Sequence, residues 1–220
     1  MKISNKILVK IEKEAKRYFV GASGCHDWSH VDRVRNLALA IGKKEKADLR
    51  VLEVACLLHD IGRKEEMDSN GKFCHAEKGA ELAEKFLLKL KLDKKDIENI
   101  KHCIVSHRFR NEHIPKTTEA KVLFDADKLD SIGAVGIGRD FLFAGFIKNP
   151  MYTGREKDLI KKGNDKSYTK DDTAVMEFEF KLKKIKNKIL TKTGKIIAKN
   201  RHEYMVDFFK KFDREIKGLE

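Results

Sequence analysis

The stretch Val51-Leu52-Glu53-Val54-Ala55-Cys56-Leu57-Leu58-His59-Asp60 decides how this chain reads. Val51, Val54, Ala55 and Leu58 recur at helical spacing, so the run predicts a buried helix ending on an imidazole and a carboxylate. Both groups must be satisfied there, because an unpaired buried carboxylate is costly or is forced neutral. A divalent metal would satisfy them together. Two more groups fit the same picture: His30, in His26-Asp27-Trp28-Ser29-His30-Val31-Asp32-Arg33-Val34, and Asp127, in Asp125-Ala126-Asp127-Lys128-Leu129-Asp130.

Helical periodicity continues on both sides. A first helix is expected over residues 6–19, with a stripe of Ile7, Ile11 and Ala15, broken by Gly21-Ala22-Ser23-Gly24. Asp27 reads as the N-cap of a second helix with Val31, Val34, Ala38 and Ile41 on its apolar face, and Gly42 as its end. His30 falls in the first turn of that helix. The third carries the His59-Asp60 doublet at its C-terminal end, and Gly62 with Asp68-Ser69-Asn70-Gly71 marks a loop. A fourth helix follows His75, a fifth begins near Asp93 or Asp96, and a sixth begins at Thr117 or Thr118. Asp127 shares a stripe with Ala120 and Leu123. An acid on an apolar face reads by itself as an ion-paired or capping group; beside His30 and the doublet it reads as a ligand. Residues 148–172 predict an exposed excursion, and two helices close the chain. The expected fold class is all-α, an irregular helical bundle, as a single domain over residues 1–220.

Composition narrows the class. With 220 residues and 41% hydrophobic content, one domain with a real core is the natural expectation. No apolar run is long enough to span a membrane and no signal-peptide core follows Met1, so a cytoplasmic location is expected, without membrane partners. Cys25, Cys56, Cys74 and Cys103 have neither metal-ligand nor disulfide-framework spacing and read as small buried hydrophobes, Cys74 being the one beside a candidate site residue. The net charge of +13 is spread as lysine along the whole chain without aromatic interleaving. That argues for a lysine-rich surface that attracts phosphorylated small molecules rather than for a dedicated nucleic-acid binder. Gly133-Ala134-Val135-Gly136-Ile137-Gly138 has the wrong glycine order for a dinucleotide loop and reads as close helix packing; Thr193-Gly194-Lys195 reads as a helix junction.

The segments HDWSHVDRV (26–34), EVACLLHDIGR (53–63), HAEKGAELAEKFL (75–87), IKHCIVSHRF (100–109) and EAKVLFDADKLDSIGAVGIGRDF (119–141), in this order, resemble the HD-domain metal-dependent phosphohydrolases. The tail KLKKIKNKILTKTGKIIAKNRHEYMVDFFKKFDREI (181–216) is similar to one branch that includes bacterial nucleotide pyrophosphohydrolases. The resemblance implies metal ligands at His30, His59, Asp60 and Asp127. Spacing alone does not fix that set, because the interval between Asp60 and Asp127 is long. Two imidazoles and two carboxylates suit Mn²⁺, Fe²⁺, Co²⁺, Ni²⁺ or Zn²⁺ better than Mg²⁺. Asp60 would also orient the attacking water. Some relatives carry extra histidines and bind two metals, which makes His75 and His107 candidates for a second metal or for phosphate. His102, five residues before His107, lies about 140° away around a helix and is the weaker candidate. His26, ahead of the second helix, reads as structural. Arg33, one turn after His30, and the basic positions Lys128 and Arg139 are candidates for substrate phosphate; ion pairs with Asp130 or Asp140 are the competing reading. Where relatives often show a His-Phe step before Lys181-Leu182, this chain has Glu177-Phe178-Glu179-Phe180.

The expected function is metal-dependent hydrolysis of a nucleotide or related phosphate ester, with release of pyrophosphate from nucleoside triphosphates as the first expectation and a phosphorylated small molecule, a nucleotide above all, as partner. Phosphomonoesterase and cyclic-nucleotide phosphodiesterase activities stay open, because this fold hosts many chemistries. A nucleic-acid-binding module on the same fold and a metal-stabilised structural protein are the other two classes. Association into a homo-oligomer is open.

Overall fold

The computed structural model describes residues 2–22, 26–69, 72–108, 113–161 and 169–219; every assigned element among them is helical and none is a strand. Short polar side chains start the first helices. Ser4 accepts the Ile7 N–H at α1 (Asn5–Arg17), Asp27 accepts those of Ser29 and His30 at α2 (Trp28–Glu45), and Asp48 accepts those of Arg50 and Val51 at α3 (Leu49–Leu58). α4 (Arg63–Asp68) follows the doublet; then come α5 (His75–Lys89), α6 (Lys94–Ser106) with Asp93 as its cap, and α7 (Thr118–Leu129). α8 (Gly133–Phe146), α9 (Glu156–Lys161), α10 (Ala174–Phe180), a 3-10 segment (Leu182–Lys188) and α11 (Lys192–Glu215) complete the order. The all-α, irregular bundle expected from periodicity is the observed fold class. No helix among the described residues is long and apolar enough to cross a membrane.

The helices fall into two compact units, Met1–Asp127 with Leu190–Thr193, and Lys128–Ile189 with Gly194–Glu220. In the first, α3 is the central element. It packs against α1, α2, α5 and α6, and every residue from Val51 to Leu58 is buried. Coverage on several sides explains why this segment is apolar nearly all round rather than along one stripe. Its one acid, Glu53, is neutralised by Arg35, whose Nε lies 3.0 Å from Glu53 Oε1. Asp125, wholly buried, accepts the backbone N–H groups of Leu190 at 2.8 Å and Thr191 at 2.7 Å, and the Thr191 hydroxyl at 2.6 Å. That carboxylate therefore ties residues 190–193 into this unit.

Two local expectations are corrected. Gly42 does not end α2. The helix runs on to Glu45 and stops at Lys46, which adopts a left-handed conformation (φ 59°), while the Ala47 N–H bonds to the Gly42 carbonyl at 2.9 Å. Gly42 is instead a packing position, since a Cβ there would come within 2.5 Å of Leu52 Cδ2. The stretch after Gly62 is not all loop either, because Arg63–Asp68 form α4. Asn70-Gly71 of the expected loop, and the break at Ser23-Gly24, lie outside the described residues.

In the second unit an aromatic cluster joins α8, α10 and α11. Phe178 stacks on Phe209 at 4.2 Å, and Phe141 lies 5.5 Å from Phe212. The Gly133–Gly138 run forms the first turns of α8; a Cβ on Gly136 would overlap the Ser131 backbone and one on Gly133 would meet the Arg201 side chain, so these two serve close packing as expected, whereas Gly138 has open space around it. In the 148–172 segment most described residues are exposed. Its ends are pinned together, with Asn149 Nδ2 donating to the Thr169 carbonyl at 2.8 Å and the Asp172 carbonyl at 3.0 Å. Gly163-Asn164-Asp165 lie outside the described residues.

Candidate metal centre

His59 is the C-cap of α3 and His107 the C-cap of α6, and the two are held by the same device. His59 Nδ1 lies 2.7 Å from the Cys56 carbonyl oxygen, and His107 Nδ1 lies 2.6 Å from that of Ile104, three residues back in each case. A carbonyl only accepts, so each Nδ1 carries the proton and each Nε2 presents a lone pair. His75 opens α5, and its Nδ1 lies 2.7 Å from Glu66 Oε2, which imposes the same tautomer. Burial pushes His59 down to about 4 and lowers His107 too, so both rings are neutral near pH 7.

These lone pairs converge on one carboxylate. Asp60 is buried, and its Oδ1 faces His75 Nε2 at 3.2 Å and His107 Nε2 at 3.4 Å. Its Oδ2 faces His30 Nε2 at 3.6 Å and His59 Nε2 at 3.7 Å. His30 Nε2 is in turn 3.3 Å from His59 Nε2 and 3.4 Å from Asp127 Oδ1. His75 Nε2 and His107 Nε2 are 3.2 Å apart. Burial alone would raise the Asp60 carboxyl, but the Arg63 guanidinium and then the imidazoles outweigh it and hold the group well below the usual carboxylate range. Arg63 Nε donates to Asp60 Oδ2 at 3.0 Å.

This arrangement fits metal ions. Lone pairs of neutral imidazoles opposed to each other and to a carboxylate repel unless a cation lies among them. A transition metal at about 2.1 Å from each ligand sets ligand–ligand edges of about 3.0–3.4 Å, octahedral to tetrahedral. The edges within His75–His107–Asp60 Oδ1 fall in that range. In a second trio, His30–His59–Asp127, the two edges from His30 also fall in that range, and Asp60 turns one oxygen toward each trio. Asp60 Oδ1 is also buried without a well-formed hydrogen bond, as expected of an atom reserved for a cation.

The candidates from sequence are thus distributed as follows. His30, His59, Asp60, Asp127, His75 and His107 are brought together. Arg33 is held by Ser29, its Nη1 2.8 Å from the hydroxyl. Lys128 occupies the last turn of α7. Arg139 Nη1 pairs with the buried Asp130 at 2.9 Å. His102 stands apart, its Nε2 accepting the Lys116 N–H at 2.9 Å. His26, kept out of the ligand set by its position ahead of α2, has a ring nitrogen within 4.8 Å of ligand atoms of His30 and Asp60. Cys56 and Cys103 are buried free thiols, Cys74 is partly exposed, and Cys25 lies outside the described residues.

Three residues escaped the sequence reading: Arg63, Glu66 and Arg108. Glu66 accepts from His75 and, at 2.5 Å, from Arg108 Nη1, with Arg63 Nη1 at 3.6 Å. Burial opposes ionisation of Glu66, but its hydrogen bonds to His75 and Arg108 prevail and bring it down to about 2. In sequence, Arg63-Lys64-Glu65-Glu66 is a mixed charge run that reads as a solvated helix face. The only cue was that it follows the doublet directly.

The family model described as HD domain matches residues 27–132, which hold all six converging residues. The YpgQ protein of Bacillus subtilis is 33% identical over 202 residues, 90% of this chain and 88% of that one. Its crystal structure in complex with ADP superimposes with a TM-score of 0.74 at 29% identity over 97% of both chains. An HD-superfamily hydrolase from Bacillus thuringiensis gives 0.72 at 25% identity, covering 96% of this chain and 97% of that one. Ribonuclease Y of Borreliella burgdorferi is 32% identical over 114 residues, 52% of this chain but 20% of that protein. From the fold, the converging histidines and aspartates, and these similarities, the chain belongs to the HD-domain superfamily of metal-dependent phosphohydrolases.

Proposed function

We propose that this chain hydrolyses nucleotides at a centre for two divalent ions, releasing pyrophosphate from nucleoside triphosphates. The observation that carries the reading is the division of the Asp60 carboxylate between two trios of lone-pair donors. His30, His59, Asp127 and Asp60 Oδ2 would hold one ion; Asp60 Oδ1, His75 and His107 would hold the other. The mixed nitrogen and oxygen set suits Mn²⁺, Fe²⁺, Co²⁺, Ni²⁺ or Zn²⁺ better than Mg²⁺. Ions of this kind supply Lewis acidity, which makes water a nucleophile near neutral pH and polarises a phosphoryl oxygen.

The chain's own groups do the remaining work. Asp60 stays ionised beside Arg63 and orients the attacking water. Arg33, Lys128 and Arg139 are assigned to the substrate phosphates, whose non-bridging oxygens gain charge during transfer. A nucleotide is favoured because YpgQ, similar along nearly its whole length, binds ADP.

The test is a panel of nucleoside mono-, di- and triphosphates and simple phosphomonoesters with Mn²⁺, Co²⁺, Ni²⁺ and Mg²⁺, products resolved by phosphorus NMR. The expected result is nucleoside monophosphate plus pyrophosphate from a triphosphate. Orthophosphate as the sole product refutes pyrophosphate release. RNA binding that falls steeply with salt, without hydrolysis, would instead mark a nucleic-acid-binding module. Loss of thermal stability on chelation, with no turnover under any metal, would mark a structural metal site.

A further inference from the structure

We infer that Glu66 is the positioning residue that makes His75 a metal ligand, and that Arg108 holds Glu66 in place for that task. The inference rests on the reading of Asp60, His75 and His107 as a second-ion site.

A neutral imidazole has one N–H proton, and two carboxylates compete for that of His75. Glu66 Oε2 lies 2.7 Å from Nδ1 and Asp60 Oδ1 lies 3.2 Å from Nε2. A proton on Nδ1 leaves an Nε2 lone pair facing Asp60 and His107. A proton on Nε2 turns the ring into a donor to Asp60 and closes the site to a cation. The shorter contact decides for Nδ1–H, because a charge-assisted hydrogen bond weakens as it lengthens.

The other two rings of the centre that bond a carbonyl need no such partner. His59 and His107 donate to carbonyls of their own helices, so α3 and α6 fix their tautomers. His75 is the first residue of α5 and has no preceding helical turn to bond. Its proton is fixed instead by a residue nine positions earlier, on α4. Arg108, just beyond α6, supplies the counter-charge, with Nη1 2.5 Å from Glu66 Oε1. Arg108 Nη1 is also 3.1 Å from His75 Nδ1. If Glu66 were absent, that guanidinium would be left to donate to Nδ1 and would drive the ring proton onto Nε2. Arg108 therefore supports the ligand tautomer only through Glu66.

The experiment has two readouts, neither of them activity. Long-range proton–nitrogen NMR of the metal-free protein at pH 8 reports which His75 nitrogen bears the proton. Mn²⁺ titration by calorimetry, with metal analysis, reports ion number and affinity. Wild type is expected to show Nδ1–H on His75 and to bind two ions. Glu66→Ala is expected to move the proton to Nε2 and to weaken the second ion by about ten- to hundred-fold, while the first is retained. Glu66→Gln keeps an acceptor without the charge and is expected to restore the tautomer and part of the affinity; it also serves if Glu66→Ala misfolds. An unchanged tautomer and two unchanged affinities in both variants overturn the role of Glu66 and leave the two-ion reading intact. A wild type that binds a single ion overturns both.

Discussion

Asp140 on α8 offers a test of burial energetics within the second unit. It is 5% exposed, and its Oδ2 has no hydrogen-bond partner among the described residues. Burial first, then the negative charges of Glu177 and Asp172, push its carboxyl from the ordinary 3.8 up to about 9, with Lys181 opposing. The sign follows from proton counting. Between those two values the folded chain keeps a proton that the unfolded chain has released, so stability falls as pH rises. The contribution is complete below pH 3.8 and is lost progressively up to about pH 9. At about 1.4 kcal/mol per pH unit, the loss is about 2 kcal/mol at pH 5 and about 4 kcal/mol at pH 7. Asp140→Asn removes the titration while keeping the shape. Urea unfolding of both proteins at pH 5 and pH 7 should show the variant gaining about 2–3 kcal/mol on wild type between the two conditions. A difference between variant and wild type that is the same at both pH values would falsify the buried, protonated acid.

Four further outcomes follow from the site. Asp60→Ala removes the carboxylate that turns one oxygen toward each donor trio, and metal analysis with a turnover assay should show loss of bound metal and of activity; retained turnover in metal-replete buffer would exclude its double role. Gly62→Ala would drive a Cβ into the His75 carbonyl and the Gly79 backbone, so it should lower Tm and perturb the His75 resonances, whereas Gly138→Ala, with open space around it, should do neither. Lys128→Ala should leave metal content near normal and lower kcat/KM by roughly ten- to hundred-fold, the loss of one charge-assisted contact. Arg139→Ala should in addition cost about 3 kcal/mol in urea unfolding, because it removes the guanidinium paired with buried Asp130.

What could be read from the sequence was whatever local chemistry dictates. The α3 run, the Asp27 cap and the start of α6 at Asp93 depend on neighbours within a turn or two, and the structure bears them out. Gly42 reads as a stop because a glycine near the end of a periodic stretch resembles one, whereas its role is set by Leu52 on the next helix. The same division runs through the metal centre. His59 and His107 are oriented by their own helices, so a histidine that closes an apolar helix carries its tautomer in the local sequence. His75 takes its tautomer from Glu66 across a turn, and Glu66 takes its position from Arg108, forty-two residues on. No periodicity encodes such a chain of contacts, and Glu66 stands in a charge run indistinguishable from a solvated face. The Asp60 trio is therefore the part of the centre most exposed to change by substitution outside the ligands themselves. On the two-ion reading, replacing Glu66 or Arg108 would alter one ion's environment while His30, His59 and Asp127 keep theirs. If HD-domain chains with the same ligands differ in how many ions they hold, the difference should lie in residues of this kind rather than in the ligands.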